Sequence, residues 1–172
     1  PFLAYIATNA PHSPYLVDES YAGPYRGNPD IPNPEFFGMI ANIDENIGRL
    51  RALLDELGIA QDTILMFMTD NGSSGGCETD AAGFVTRGFN AGLRGKKVSR
   101  YDGGHRAPWM IHWPAGELTG GRDIGELALH VDVLPTLIEL CELDAPHDLA
   151  FDGTSLAPLL RRSEEHTSEL QS

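Results

Sequence analysis

The apolar run within Thr63-Ile-Leu-Met-Phe-Met-Thr-Asp-Asn-Gly-Ser73 carries the strongest structural signal in the sequence. An uninterrupted run from Ile64 to Met68 that ends at a turn is typical of a short β-strand buried on both faces. Asp70 and Asn71 follow directly, and in open α/β sheets ligands bind outside the carboxyl ends of the strands. Their side chains offer the oxygen ligands that calcium and magnesium take. Asp-Asn-Gly is also a common turn sequence, so this stretch alone leaves a plain turn open.

The segments on either side alternate between strand and helix patterns. Residues 2–8 and 107–113 are largely apolar, are closed by prolines, and predict two further strands. Residues 34–57 place apolar side chains three and four positions apart, which predicts an amphipathic helix with Gly58 as its C-terminal cap. Residues 131–143 predict a second, more apolar helix. Strand, helix and strand in this order predict a βαβ unit with parallel strands and a right-handed crossover.

Two long segments between these elements contain neither pattern. Residues 15–34 are rich in Pro, Gly and Tyr, and a loop of this length usually has a functional role. Its three tyrosines are candidates for stacking on a sugar or an aromatic ring. Residues 72–92 are glycine-rich and polar and predict a second loop, in which Cys77 is expected to be an inert thiol.

The composition excludes some classes of partner. The chain has 172 residues, enough for one domain, and a net charge of −13 from 25 acidic and 12 basic side chains. A nucleic-acid-binding protein needs a basic face, so a nucleic-acid partner is not expected. No stretch is long and apolar enough to predict a membrane span. Two cysteines are too few for a disulfide framework.

Three further stretches carry candidate chemistry. His12 stands between two prolines near the end of the first predicted strand, where a histidine could donate a proton or lie exposed in a loop. Leu93-Arg-Gly-Lys-Lys-Val-Ser99 combines a glycine that allows close approach with lysines that can bind an oxyanion, or that are simply solvated. Tyr101-Asp-Gly-Gly-His-Arg-Ala-Pro108 predicts a tight bend beside a site, or a plain turn.

In this order, the stretches resemble the sulfatases of the alkaline phosphatase superfamily over nearly all of residues 1–160. The blocks that carry the resemblance are Ala10-Pro-His-Ser-Pro14, Asn42-Ile-Asp-Glu-Asn-Ile-Gly-Arg-Leu50, Thr69-Asp-Asn-Gly72, Leu93-Arg-Gly-Lys-Lys97, Tyr101-Asp-Gly-Gly-His-Arg-Ala-Pro108, His130-Val-Asp-Val-Leu-Pro-Thr136 and Asp152-Gly-Thr-Ser-Leu156. Each block is weak alone, and together in register they are strong.

The resemblance implies an α/β, alkaline-phosphatase-like fold with a mostly parallel sheet flanked by helices. It places residues 1–161 in the central to C-terminal part of a sulfatase catalytic domain, with the N-terminal half and the C-terminal subdomain expected outside this chain. Residues 162–172 resemble the conceptual translation of a sequencing adapter and are expected to be a non-native tail.

The resemblance also implies roles for individual residues. Asp70 and Asn71 match ligands to the family's divalent metal, usually calcium, with magnesium as an alternative. Lys97, the second of two lysines, matches the family's sulfate-binding lysine, and Lys96 falls where the family often has glycine. His12 matches the histidine that contacts the ester oxygen and protonates the leaving group.

Other positions match supporting roles or depart from the family pattern. Asp102 and Arg106 match structural members of the loop that holds Lys97, and His105 is a weaker candidate for contact with substrate. Asp102 stands where glutamate is commoner in the family, and Val98 where glycine is commoner. His130 and Asp132 match packing and capping residues before the second helix, and a metal-binding role for His130 ranks below that.

The nucleophile that the resemblance requires does not occur in this sequence. Sulfatases use a formylglycine made by a maturation enzyme from a Cys/Ser-x-Pro-x-Arg motif, and Cys77 lies in Gly-Cys-Glu-Thr-Asp instead. The expected activity of a parent protein is therefore hydrolysis of aryl or carbohydrate sulfate esters, with this chain inactive alone. Phosphodiester or phosphonate hydrolysis and non-catalytic cation binding are the alternatives. The resemblance favours a periplasmic or secreted parent.

Overall fold

The computed structural model describes residues 1–145 and 148–162. They form an α/β structure in two compact units, the first spanning residues 1–111 and the second beginning at His112. The elements in chain order are helix α1 (Glu19–Ala22), helix α2 (Pro34–Glu56), strands β1 (Leu65–Met68), β2 (Cys77–Thr79) and β3 (Val85–Gly88), helix α3 (Asp102–His105), strand β4 (Trp109–His112), and helices α4 (Val133–Leu140) and α5 (Ala157–Leu160). None of the described helices combines the length and apolar character needed to cross a membrane.

Helix α2 confirms the long predicted helix almost to the residue. The Asn33 carboxamide caps its first turn by accepting a hydrogen bond from the Phe36 amide at 3.0 Å. Gly58, just beyond the last turn, adopts a φ of +68°, which an L side chain rarely adopts. The helix packs on α1, and the two backbones approach so closely that a Cβ on Gly38 would lie 2.9 Å from the Ala22 nitrogen. Phe36 and other buried side chains of α2 therefore form the core of this unit.

Strands β1 and β4 confirm two of the three predicted strands and are neighbours in a two-stranded sheet. Strand β1 is half-buried rather than buried on both faces, because Met68 remains 39% exposed. The strand predicted at residues 2–8 is not formed, and Leu3 and Tyr5 are 85% and 90% exposed. A strand needs a partner for its backbone groups, and no described residue forms a backbone hydrogen bond with residues 2–8. Without that first strand, the predicted βαβ unit is not formed within the described residues, and the mostly parallel sheet stays a prediction.

The segment predicted as a polar loop at residues 72–92 contains a β-hairpin, so that prediction was wrong. Strands β2 and β3 pair antiparallel, with Cys77 opposite Gly88. The Asp80 carboxylate stabilises the turn by accepting hydrogen bonds from the amides of Ala82 and Phe84, each at 2.9 Å. Local side-chain chemistry at the turn thus produces a hairpin where the composition indicated a loop.

The segment at residues 15–34 is also more ordered than a loop, since it contains α1 and a 3₁₀ turn at Gly23–Tyr25. Its tyrosines pack towards α2. The ring of Tyr15 meets Phe36 edge-on at 5.8 Å between centroids, and that of Tyr25 lies 5.5 Å from Phe37. The Tyr21 hydroxyl donates to Glu45 at 2.5 Å. These rings stabilise the helix, which leaves less of their surface for stacking on a ligand.

In the second unit, the helix predicted at residues 131–143 is a 3₁₀ turn at His130–Asp132 followed by α4. Asp132 is buried and accepts hydrogen bonds from the amides of Leu129 at 2.7 Å and Thr154 at 2.8 Å. These bonds lower the pKa of the Asp132 carboxyl, with Thr154 the larger cause. Asp132 thus caps the 3₁₀ turn that precedes α4, while its side chain makes no capping hydrogen bond to α4 itself. The same side chain ties Thr154 to the start of α4.

Arg162, the first residue of the predicted non-native tail, lies 3.4 Å from Glu126, and its carbonyl accepts a hydrogen bond from Arg122. Residues 163–172, the rest of that tail, lie outside the described residues. The boundary at residue 162 therefore stays a prediction.

Candidate functional site

Strand β1 ends directly in the predicted cation-binding pair. Asp70 is exposed, and its carboxylate has no hydrogen bond or salt bridge to any other described residue. The Asn71 amide nitrogen donates to the Gly72 carbonyl at 2.9 Å, which leaves the side-chain oxygen of Asn71 available. The Thr69 hydroxyl donates to the Asn71 carbonyl at 3.1 Å and orders the turn. The strand end therefore presents two oxygen donors that the fold does not use.

Backbone hydrogen bonds join this strand end to the two other stretches singled out in the sequence. We call the three parts the strand-end segment (residues 69–73), the lysine loop (residues 93–99) and the glycine turn (residues 101–107). The Gly72 amide donates to the Gly104 carbonyl at 3.0 Å, and the Gly103 amide donates to Arg94 at 2.7 Å. The Lys97 amide donates to the Ser73 carbonyl at 2.9 Å. Each segment is thus bonded to both of the others.

Glycine is required where the three backbones meet. A Cβ on Gly72 would lie 1.9 Å from the Gly103 carbonyl oxygen, and a Cβ on Gly103 would lie 2.1 Å from that of Gly95. A Cβ on Gly104 would lie 2.1 Å from the Ser99 carbonyl oxygen. Backbone atoms cannot yield as flexible side chains do, so any larger residue would separate the segments. The double glycine of the sequence is therefore a packing contact rather than only a bend.

The two lysines of the lysine loop face different surroundings. The Lys96 ammonium lies 3.5 Å from the Cys77 carbonyl oxygen of the hairpin. The Lys97 ammonium has no hydrogen bond or salt bridge among the described residues, while its backbone is fixed on Ser73. Val98 follows in a left-handed conformation, with φ of +78° and a side chain that is 95% exposed. Of the two lysines, Lys97 is the one whose ammonium has no hydrogen-bond or salt-bridge partner within residues 1–145 and 148–162.

Two residues that the sequence analysis did not select hold the lysine loop in place. The Asn90 amide donates to the carbonyls of Leu93 at 2.8 Å and Gly95 at 2.6 Å. The Arg94 guanidinium lies 3.7 Å from the ring centroid of Tyr101, and its Nε donates to the Ala82 carbonyl at 2.7 Å. These contacts anchor the loop to the hairpin and to the glycine turn. The Asn-x-x-Leu-Arg spacing is a weak signal that became interpretable only with the structure.

His12 is exposed, and its hydrogen bonds are local. Its Nδ1 lies 2.8 Å from the Ser13 carbonyl oxygen, and its amide donates to Asn9 at 2.9 Å. A carbonyl can only accept, so this contact favours the tautomer with the proton on Nδ1 and leaves Nε2 free. No hydrogen bond between described residues joins His12 to the strand-end segment or the lysine loop. The hydrogen bonds that join the strand-end segment and the lysine loop therefore do not include His12.

The charged side chains of the glycine turn point away from the backbone contacts. Asp102 and His105 lie 3.9 Å apart, and each is 63% exposed. Arg106 is also exposed and lines a hollow. The turn supports the lysine loop through Gly103 and Gly104, and the side chains of Asp102 and Arg106 make no hydrogen bond to Lys97.

Cys77 has the properties of the inert thiol that the sequence analysis expected. It is 2% exposed on strand β2. Burial raises the pKa of the Cys77 thiol, and the nearby charge of Lys96 opposes that rise only in part. A buried thiol with a raised pKa carries little thiolate near neutral pH and is a poor nucleophile.

The donor set at the strand end fits part of a divalent-cation site. Asp70 and Asn71 supply hard oxygen donors, whereas calcium takes six to eight. Within residues 1–145 and 148–162, no three His, Cys, Asp or Glu side chains are grouped so as to hold a metal. The chemistry of the pair suits calcium or magnesium, and the remaining ligands would have to come from other groups.

A carboxylate and an amide follow strand β1, and the backbone of Lys97 is bonded to the same segment at Ser73. Side chains of these types are suited to a divalent cation and to an oxyanion. Comparisons with known proteins agree with this class. The family model described as Sulfatase matches residues 1–143. This chain belongs to the sulfatase family.

Two curated sulfatases and one solved structure show how much of this chain is matched and at what identity. Steryl-sulfatase of Mus musculus is 33% identical over 161 residues, covering 94% of this chain and 24% of that protein. N-acetylgalactosamine-6-sulfatase of Homo sapiens is 30% identical over 165 residues, covering 93% and 28% respectively. The crystal structure of Ps i-CgsB superposes with a TM-score of 0.76 at 25% identity, covering 91% of this chain and 32% of that one. The chain spans about a quarter of the length of these curated relatives.

Proposed function

We propose that this chain forms part of the active site of a sulfuric ester hydrolase that acts on aryl or carbohydrate sulfates. The observation that carries the proposal is the joining of the strand-end segment to the lysine loop. The Lys97 amide donates to the Ser73 carbonyl, two residues beyond Asn71. Among the described residues, neither the Asp70 carboxylate nor the Lys97 ammonium has a hydrogen bond or a salt bridge. Family membership supports the reaction class, and the geometry supports the choice of residues.

Each residue has a chemical role in this proposal. Asp70 and Asn71 would hold calcium or magnesium, which, when bound, neutralises charge on the sulfuryl group. Lys97 would bind a sulfate oxygen with its ammonium, a contact that strengthens as charge develops in the transition state. His12, in its doubly protonated form with Nδ1–H on the Ser13 carbonyl, would donate the Nε2 proton to the departing alcohol oxygen.

The nucleophile would come from outside this chain. A formylglycine produced by a maturation enzyme from a Cys or Ser motif is the group that sulfatase chemistry requires, and Cys77 is too buried to replace it. His105 and Asp102 are exposed near the glycine turn, and we propose only a minor contact with substrate for His105.

The test compares the two lysines in a protein that contains this chain together with the formylglycine motif. Lys97→Ala should lower turnover of 4-nitrophenyl sulfate by about 10²–10³ and leave calcium affinity nearly unchanged, because an ammonium cannot ligate a cation. Lys96→Ala is the matched control and should keep turnover close to wild type. Asp70→Asn should weaken calcium binding and reduce activity together.

A comparison of two substrates tests the proposed role of His12. His12→Ala should reduce hydrolysis of a sugar sulfate more than that of 4-nitrophenyl sulfate, because an alkoxide leaving group needs a proton more than a nitrophenolate does. If Lys96→Ala were the inactive variant, the assignment of the lysine pair would be wrong by one residue. Full activity in both lysine variants, or turnover of phosphodiesters but no sulfate ester, would overturn the proposal.

A further inference from the structure

A hollow of about 450 Å³ lies between the start of the lysine loop and the end of the glycine turn. Its lining is aliphatic apart from one guanidinium, and consists of Ala91, Leu93, Arg106, Ala107 and Pro108. Lys97, Asp70 and His12 are not among the lining residues. The hollow is open to solvent, since Ala91, Arg106 and Pro108 are exposed, and its volume is within the range of sites that bind small organic molecules, about 300–1,000 Å³.

Arg106 is the polar group of this lining, and the fold does not use its charge. Its guanidinium has no hydrogen bond or salt bridge within residues 1–145 and 148–162. Some other arginines of the described residues pair with carboxylates, as Arg26 does with Glu19 and Arg87 with Glu78, whereas Arg94 uses its guanidinium on the Ala82 carbonyl and the Tyr101 ring. A planar cation beside apolar surface is complementary to an anion attached to an apolar body.

Hydrogen bonds order the backbone on both sides of the hollow. On one side, the Asn90 amide holds the Leu93 carbonyl at 2.8 Å, and Ala91 has a φ of +59°. On the other, the Arg106 amide donates to Asp102 at 2.8 Å and the Ala107 amide to His105 at 2.9 Å. A site with ordered walls avoids much of the entropy loss that weakens binding.

We propose that this hollow binds a small apolar organic monoanion, namely an aromatic carboxylate or sulfonate. The ring would lie against Leu93, Ala107 and Pro108, and the anionic group would receive charge-assisted hydrogen bonds from Arg106. The proposal does not depend on sulfatase activity, because it involves neither Lys97 nor a metal. It adds a second ligand class beside the site described above.

The test is isothermal titration of the full chain with 2-naphthoate, with 2-naphthamide as the uncharged probe of the same shape. We expect saturable binding at one site to wild type. Arg106→Gln should weaken that binding by about ten- to a hundredfold, the effect of losing hydrogen bonds to a charged group. The amide probe should bind wild type more weakly by a similar factor.

Three control variants make the result specific. Arg51→Gln removes an exposed arginine of helix α2 and should leave 2-naphthoate affinity unchanged. Arg106→Lys should restore part of the affinity, since it keeps the charge but loses the planar fork. Lys97→Gln should also have no effect. The proposal would be overturned by equal affinity of Arg106→Gln and wild type, by equal affinity of the two probes, by loss of binding in Lys97→Gln, or by the absence of saturable binding.

Discussion

Gly103→Ala tests the packing of the three segments at its closest point. The new Cβ would lie 2.1 Å from the Gly95 carbonyl oxygen and 2.7 Å from that of Arg94, whereas ordinary contact begins at 3.4 Å. The glycine turn and the lysine loop would therefore have to separate by about 1.3 Å. This movement would break or lengthen the hydrogen bond from the Gly103 amide to Arg94, now 2.7 Å.

The structure sets the size of the expected effect. Overpacking of a closed contact costs about 1–3 kcal/mol, and a buried amide left without its acceptor costs about 1–3 kcal/mol. We expect Gly103→Ala to lower the free energy of unfolding by roughly 2–5 kcal/mol, or the melting temperature by roughly 5–15 °C. Thermal unfolding followed by circular dichroism measures this.

Gly48→Ala provides the matched control. Gly48 lies in helix α2 with no atom within 4 Å of the position of a new Cβ. Alanine there should raise stability by about 0.8–1 kcal/mol, the difference between the two residues in a helix interior. A second readout is hydrogen exchange of the Lys97 amide, which should speed up in Gly103→Ala and not in Gly48→Ala. An unchanged melting temperature and unchanged exchange in Gly103→Ala would refute the close packing.

Two other substitutions test features outside that contact. Val98→Gly should raise the melting temperature by about 2–4 °C. It removes roughly 1–2 kcal/mol of backbone strain at φ +78°, and the greater entropy of glycine in the unfolded chain offsets only part of that gain. Thr86→Gly in strand β3, where no such strain is relieved, should lower the melting temperature. Asp132→Asn should flatten the acid limb of stability measured by urea unfolding from about pH 5 down to about pH 2. The folded-state pKa of Asp132 lies below 3.8, so its carboxylate stabilises the fold above that value and loses this contribution as pH falls through the folded pKa. A Val98→Gly protein that melts lower, or parallel acid limbs for Asp132→Asn and wild type, would contradict these expectations.

The parts of the fold that were predictable from the sequence are those determined by local signals. Helix α2 has a capping asparagine, a regular apolar stripe and Gly58 at its end, so its limits could be placed almost to the residue. Residues 2–8 have the composition of a strand, but strand formation depends on a partner strand, which is often distant in sequence. Their pattern could not reveal whether such a partner is present, and the segment is exposed.

The hairpin was missed for a related reason. Strands β2 and β3 are short and polar, and they are separated by a turn that the Asp80 side chain stabilises through two backbone amides. Nothing in the apolar pattern distinguishes such a hairpin from a loop. Its consequence for the site is direct, because the Gly95 amide of the lysine loop donates to the Gly83 carbonyl of that turn at 2.7 Å.

The choice between the two lysines shows what the structure adds to a motif. The sequence offers Lys96 and Lys97 side by side, and only the family resemblance favoured the second. In the structure Lys96 directs its ammonium to the Cys77 carbonyl, whereas Lys97 is fixed by its backbone on Ser73. Backbone hydrogen bonds and close glycine contacts hold the loops together, and no hydrogen bond or salt bridge among the described residues involves the side chain of Asp70 or Lys97. A charge that has no partner among the described residues can bind a ligand without breaking a hydrogen bond or salt bridge of the fold, and for that reason these two positions carry the proposed chemistry.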